Sequence, residues 1–128
     1  MKKIIQVIGL PGSGKSTQIK KYLEQAAISV DLIDIVNFQG ARRDLKFRRA
    51  VIKHRGSLIA ESACGIKGLG YIIKINTPVD RVYAQLLDRD NCLDEDYLSL
   101  LGTQMVAADC TLKKPEDLPG LLETILKE

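Results

Sequence analysis

Nine consecutive residues, Gly9-Leu10-Pro11-Gly12-Ser13-Gly14-Lys15-Ser16-Thr17, hold the residue types and spacing that bind polyphosphate. Glycines at 9, 12 and 14 let the backbone adopt conformations that a β-carbon hinders, so successive N–H groups can line a cup for phosphate oxygens. A helix opening near Lys15 adds unpaired N–H groups and the positive end of its dipole. In such a loop the lysine, here Lys15, reaches the β- and γ-phosphates, the Ser16 hydroxyl ligates Mg²⁺, and Thr17 stands ready to donate to an inner phosphate. The pattern is G-x-x-x-x-G-K-[ST], and the apolar run Ile4-Ile5-Gln6-Val7-Ile8 precedes it. That strand-to-helix setting separates a working phosphate loop from a chance match. ATP is therefore the expected ligand and Mg²⁺ the expected cofactor.

Other ionisable groups cluster by sign. Residues 42–55 hold Arg42, Arg43, Lys46, Arg48, Arg49, Lys53 and Arg55 against the one acid Asp44, whereas 88–96 hold Asp88, Asp90, Asp94, Glu95 and Asp96 against Arg89. Two carboxylates, Asp34 and Glu61, close apolar runs that read as strands. They would lie at the carboxyl edge of a sheet, where open α/β sheets bind ligands. His54 is the sole histidine and reads as a packing or surface residue. Cys64, Cys92 and Cys110 are odd in number and form no C-x-x-C pair, which indicates neither a disulfide framework nor a zinc site. A reducing cytoplasm is the simplest setting.

The elements that must position these groups follow from hydrophobic period. Residues 2–8 read as a strand buried on both faces. A helix over 15–27 turns Ile19, Tyr22, Leu23 and Ala26 to the sheet. Residues 28–36 hold a second strand over 30–35, and 41–55 a second helix. At about 100° per residue, Arg42, Lys46, Arg49 and Lys53 share one arc of that helix, with Leu45 and Ile52 on one flank and Phe47, Ala50 and His54 on the other. The arc is read either as a solvated face or as the wall of a phosphate-bearing cleft. Leu58–Ser62 and Tyr71–Asn76 are strands three and four. Ala63 to Gly70 is too short for a helical crossover and is expected to run as a glycine-rich loop. Thr77-Pro78 opens a helix ending near Arg89, residues 95–101 form a short helix capped by Asp94, 105–112 supply a fifth strand, and 115–127 a closing helix whose start Pro119-Gly120 delays. The alternation predicts an α/β fold: a five-stranded parallel sheet flanked by helices as a three-layer P-loop NTPase sandwich.

At 128 residues the chain is expected to be one domain, 1–128, able to bury about two-thirds of its unfolded surface. Apolar and charged contents of 45% and 27% suit a soluble globule, and no apolar run approaches the roughly 20 residues of a membrane span. No signal peptide is expected. The net charge of +3 is too small to require nucleic acid by itself.

The sequence resembles the P-loop kinases of the nucleoside-monophosphate-kinase type, a group that includes thymidylate, adenylate and shikimate kinases. The likeness rests on Gly9 to Gln18, on Tyr71 to Arg89 and on Ala108 to Leu126. It implies ATP-dependent phosphoryl transfer with Mg²⁺ to a small phosphorylated or hydroxyl acceptor. It also implies that Arg89 opens a lid and neutralises the moving group, and that Asp34 or Glu61 holds the metal through water or takes the acceptor's proton. Arg42, Arg43 and Arg49 would then hold the acceptor's phosphate. The chain departs from the pattern where 90–102 carries no arginine and where the crossover after Glu61 is cut short. An open site, or a subunit that completes the pocket, would accommodate both losses. Two alternatives stand beside the small-molecule kinase: a nucleotide-binding regulatory module with little turnover, and a 5′-hydroxyl polynucleotide kinase that uses 42–55 as its strand-binding surface. A nucleic-acid partner is the less favoured, and oligomeric state is left open.

Overall fold

The computed structural model describes residues 3–10, 12–76 and 103–127. The helices expected over 77–89 and 95–101 lie outside them. The described residues contain five strands, β1 (Ile4–Gly9), β2 (Asp31–Asp34), β3 (Leu58–Ser62), β4 (Tyr71–Ile75) and β5 (Cys110–Leu112). The helices are α1 (Lys15–Gln25), α2 (Arg43–Lys53) and α3 (Leu118–Lys127). All neighbouring strands pair in parallel, in the order β2-β3-β1-β4-β5. Ile5, Val7, Ile8, Leu58, Ile59 and Ile73 are fully buried, as parallel strands covered on both faces must be.

Alternation along β1 divides the core. Ile5 and Val7 join Ile19 and Tyr22 of α1 and Leu118, Leu122 and Leu126 of α3 on one face. On the opposite face Leu58 and Ala60 pack with Phe47 and Val51 of α2 and with Ile66 of the loop between β3 and β4. Phe38 meets Phe47 edge to face, with ring centroids 5.9 Å apart. Among the described residues the sheet is thus covered by two helices on one side, and by one helix and a loop on the other.

That loop is the expected glycine-rich crossover, and β1 ties it down. Gln6 is fully buried; its amide donates to the Ile66 and Leu69 carbonyls, both at 2.7 Å, and accepts from the Ile66 N–H at 2.7 Å. One side chain therefore satisfies three backbone groups that a helix would otherwise have paired internally. The close approach requires glycine: Gly70 has φ +65°, and a Cβ there would overlap the Ile4 carbonyl. Gly68 has φ +76° but open space around it.

Small shifts place β1 at Ile4–Gly9 and end α1 at Gln25 and β4 at Ile75, and four other elements differ further from the sequence reading. Strand β2 stops at Asp34 because its carboxylate accepts from the Val36 N–H at 3.1 Å and turns the chain into a 3₁₀ segment, Ile35–Asn37. Helix α2 is shorter than 41–55, and its buried face is Phe47 and Val51, leaving Leu45 and Ile52 exposed at 40% and 56%. The fifth strand begins at Cys110 instead of 105, since the Val106 N–H bonds to the Cys64 carbonyl of the crossover and not to β4. The closing helix starts as a 3₁₀ turn, Pro115–Asp117, before α3.

The two crossover glycines separate conformation from space. Gly68→Ala is expected to cost about 1–2 kcal/mol for its left-handed backbone alone. Gly70→Ala is expected to exceed about 4 kcal/mol, the range of gross steric conflict, when urea unfolding of both variants is compared. Equal losses would show that the crossover does not press on β1.

Candidate functional site

Strand β1 ends at Gly9, and α1 begins at Lys15; the turn between them keeps its shape through glycine. Gly12 and Gly14 have φ of +80° and +92°. Gly14 is the N-cap of α1, with no side-chain cap and no acid in the first turn. The helix N-terminus therefore offers its N–H groups and its dipole to an incoming anion with no internal competitor. Gly9 is held close as well, since a Cβ on it would stand 3.1 Å from the Ile75 carbonyl oxygen. Ser13 is 2% exposed, and its Oγ has no hydrogen-bond partner among the described residues. Thr17 is exposed on the first turn of α1, and Pro11 lies outside the described residues.

Lys15 is only 9% exposed and donates to the Leu10 carbonyl at 3.3 Å, so its ammonium folds over the loop that carries it. Burial lowers its pKa, while the charges of Glu61 and Asp34 work in the opposite direction. Ser16 donates from Oγ to Glu61 Oε2 at 2.7 Å, joining the first turn of α1 to the end of β3. Asp34 and Glu61 are register partners on β2 and β3, so their side chains leave the same face of the sheet side by side. Both carboxylates expected from the sequence are thus gathered with Lys15 and Ser16.

Glu61 is perturbed as well. Desolvation, reinforced by the neighbouring Asp34 carboxyl, pushes its pKa up to about 7, against the opposing pull of the Ser16 hydroxyl and of Lys15. Its Oε1 is buried without a partner among the described residues. No group of three His, Cys, Asp or Glu side chains able to hold a metal occurs among them. Mg²⁺ asks for less than that, because it is held by one or two carboxylates together with substrate phosphates and waters. A hydroxyl oxygen, two adjoining carboxylates and one unsatisfied carboxylate oxygen fit that requirement.

Beside this cluster lies a cleft of about 1010 Å³, bounded by the first turns of α2 and the start of the crossover. Phe47, Ile66, Ser62 and Cys64 line it, together with Arg43 and Arg48. Of the three arginines singled out by sequence, only Arg43 reaches it. Arg42 and Arg49 are exposed and do not line it. Arg48, which the helical wheel left off the cationic arc, does line it. The wheel gives relative angles only, and the buried face fixed by Phe47 and Val51 decides which flank meets the cleft. Arg89 lies outside the described residues. Among those residues no helix is long and apolar enough to cross a membrane.

A phosphate-type loop after the central strand of a parallel sheet ordered β2-β3-β1-β4-β5 defines the P-loop fold in its nucleoside-monophosphate-kinase-like form. Solved structures share it. The chain is similar to a shikimate kinase from Bacteroides thetaiotaomicron (TM-score 0.66, 14% identity), with 98% of this chain and 99% of that one covered. It is also similar to a gluconokinase from Sinorhizobium meliloti 1021 (0.64, 11%, covering 98% and 95%). The third is the Mycobacterium tuberculosis APS kinase CysC in complex with AMPPNP and APS (0.61, 16%, covering 99% and 98%). At these identities the likeness is one of fold. No protein-family model and no curated protein matches the sequence.

The raised Glu61 pKa has a thermodynamic consequence with a definite sign. From about pH 4.5, its ordinary value, to about 7, the unfolded chain has lost this proton and the folded chain still holds it, so stability falls as pH rises through that window. The melting temperature of the ligand-free protein is expected to decline over this range relative to Glu61→Gln, which cannot ionise there. Parallel profiles for the two proteins would place the Glu61 pKa at its ordinary value.

Proposed function

We propose that the chain is an ATP- and Mg²⁺-dependent phosphotransferase that moves the γ-phosphoryl group to an acceptor seated in the cleft beside α2. The observation that carries this reading is the Ser16–Glu61 hydrogen bond, which aligns a metal-ligating hydroxyl with a buried carboxylate at the mouth of the loop. The fold shared with shikimate kinase, gluconokinase and APS kinase supports it.

In this reading the N–H groups of Gly12 to Thr17 hold the β- and γ-phosphates. Lys15 exchanges the Leu10 carbonyl for phosphate oxygens and neutralises charge as the terminal group departs. Ser16 and Glu61 hold Mg²⁺, which when bound offsets the charge of the phosphate oxygens. Asp34, next to Glu61 and less buried, accepts the proton of the acceptor hydroxyl. Arg43 and Arg48 hold acceptor anions, and Arg89 is assigned the lid role that the resemblance implies. Transfer of this kind is chiefly positioning and charge stabilisation, so the removal of one ammonium is expected to matter greatly.

The test pairs binding with turnover. MgATP is expected to raise the melting temperature of the wild type, because a ligand that binds only the folded state stabilises it. With a panel of hydroxyl and phosphate acceptors, ADP release is expected to depend on the acceptor and to fall at least 100-fold in Lys15→Ala. Tight MgATP binding with no transfer to any acceptor would favour a nucleotide-binding regulatory module. ADP release that needs no acceptor and survives Lys15→Ala would overturn the proposal.

A further inference from the structure

Helix α2 carries charge far beyond what its cleft can use. Arg42, Arg43, Lys46, Arg48, Arg49, Lys53 and Arg55 are all exposed. Among the described residues none of the seven pairs with a carboxylate, the ion pairs there being His54–Asp31 and Lys127–Glu123. Two of them are held by backbone: Arg43 donates to the Ile35 carbonyl and Lys46 to the Gln39 carbonyl, at 3.3 and 3.1 Å. These bonds fix the start of the helix and leave the other five side chains uncommitted.

The placement of these cations has a direction. Arg43 and Arg48 line the cleft. Lys46, Arg49 and Lys53 share an exposed arc of the helix, and Arg42, its N-cap, precedes them. From Arg42 to Lys53 that arc runs about 16 Å. A small acceptor with one phosphate or carboxylate would be satisfied by the two arginines in the cleft, and the outer arc would stay unneutralised. A polyanion continuous with the acceptor would engage both. A strand stacked at the B-form rise of about 3.4 Å per phosphate would place four to five phosphates along this length.

Resting on the phosphotransfer reading, we propose that the acceptor is the 5′-hydroxyl end of a single-stranded nucleic acid, whose terminal nucleotide enters the cleft and whose backbone follows the α2 arc. The 5′-hydroxyl oxygen bonds to the γ-phosphorus, the bond from that phosphorus to the β,γ-bridging oxygen breaks, the hydroxyl proton passes to Asp34, and ADP leaves. An anionic membrane is the competing partner for a basic helix. Only Leu45 and Ile52 offer large apolar side chains on the outer face of α2, seven residues apart, which is little anchorage for a bilayer. A membrane surface also leaves Arg43 and Arg48 in the cleft without a role.

The test uses the full chain with γ-labelled ATP and a ten-nucleotide strand carrying a 5′-hydroxyl, beside the same strand with a 5′-phosphate and a panel of nucleoside monophosphates, hydroxy acids and sugar acids. Label is expected on the 5′-hydroxyl strand and not on its phosphorylated form. The logarithm of strand affinity is expected to fall with the logarithm of salt at a slope of about −3, for four contacts at about 0.7 each. The double variant Arg49→Glu/Lys53→Glu is expected to raise KM for the strand at least tenfold and to reduce that slope by about 1.4, while the MgATP-induced thermal shift reports an intact fold. Label on a small acceptor and none on the strand overturns this inference and leaves the phosphotransfer reading standing. Strand binding indifferent to salt or to the double variant overturns it too. So does capture by phosphatidylserine vesicles without strand binding, which would assign the face to a membrane.

Discussion

An ammonium group taken out of water beside two carboxylates is the constraint from which the site follows. Desolvation works against the charge of Lys15 and against that of Glu61. The cluster meets these demands internally: Lys15 turns to the Leu10 carbonyl, Ser16 donates to Glu61, and Glu61 shares its surroundings with Asp34. Each of these arrangements occupies a group that polyphosphate and a divalent cation would otherwise take. Glu61 Oε1 and Ser13 Oγ remain without partners among the described residues, and in the proposed function binding would exchange the internal partners of Lys15 and Ser16 for external ones and supply the missing ones. Such an exchange limits the cost of keeping an anion site ready in a folded protein that lacks its anion.

The sheet supplies the rigidity that this exchange needs. Glu61 stands on β3, with Val7 of β1 beside it on one side and Asp34 of β2 on the other. The loop itself leaves the central strand, so Lys15, Ser16, Asp34 and Glu61 are fixed by three adjacent strands and the first turn of one helix. Strand register is hard to slip when a face is buried, because a shift of one residue reverses every side chain. A slip at β3 would replace Glu61 with Ser62 on the α1 side, and the Ser16 hydroxyl would lose its acceptor.

Legibility in the sequence followed the range of the interactions. The phosphate-type loop, β1, α1 and β3 could be read because their signals are local: glycine spacing, a continuous apolar run, an i, i+3, i+4 stripe. Asp34 and Glu61 could be placed at strand ends, but that Glu61 meets both Ser16 and Asp34 depends on the order β2-β3-β1, which no local pattern states. Residues 105–108 are apolar enough for a strand, yet the Val106 N–H is claimed by Cys64, a contact 42 positions away in the chain. The same limit hid Arg48. Its angle on the wheel was known, but the direction of the core became known only with Phe47 and Val51 in place. Gln6 was the least legible residue, a lone amide within an apolar run whose purpose appears only when the crossover passes over it.

That crossover bears on the shape of the site as well as on its stability. A parallel connection usually requires a dozen or more residues and a helix, which would wall the region beside β3. Here eight residues, Ala63 to Gly70, make the passage from β3 over β1 to β4, with Gln6 satisfying the backbone groups that the missing helix would have paired. Among the described residues the cleft is bounded by one charged helix, one thin loop and Gln104. An enclosed pocket recognises a small molecule by surrounding it. In the proposed function, a cleft walled by a charged helix would draw selectivity from how far the bound molecule extends along α2. If the acceptor is the proposed strand, length and charge become the properties by which acceptors are told apart, and α2 is the element able to measure both.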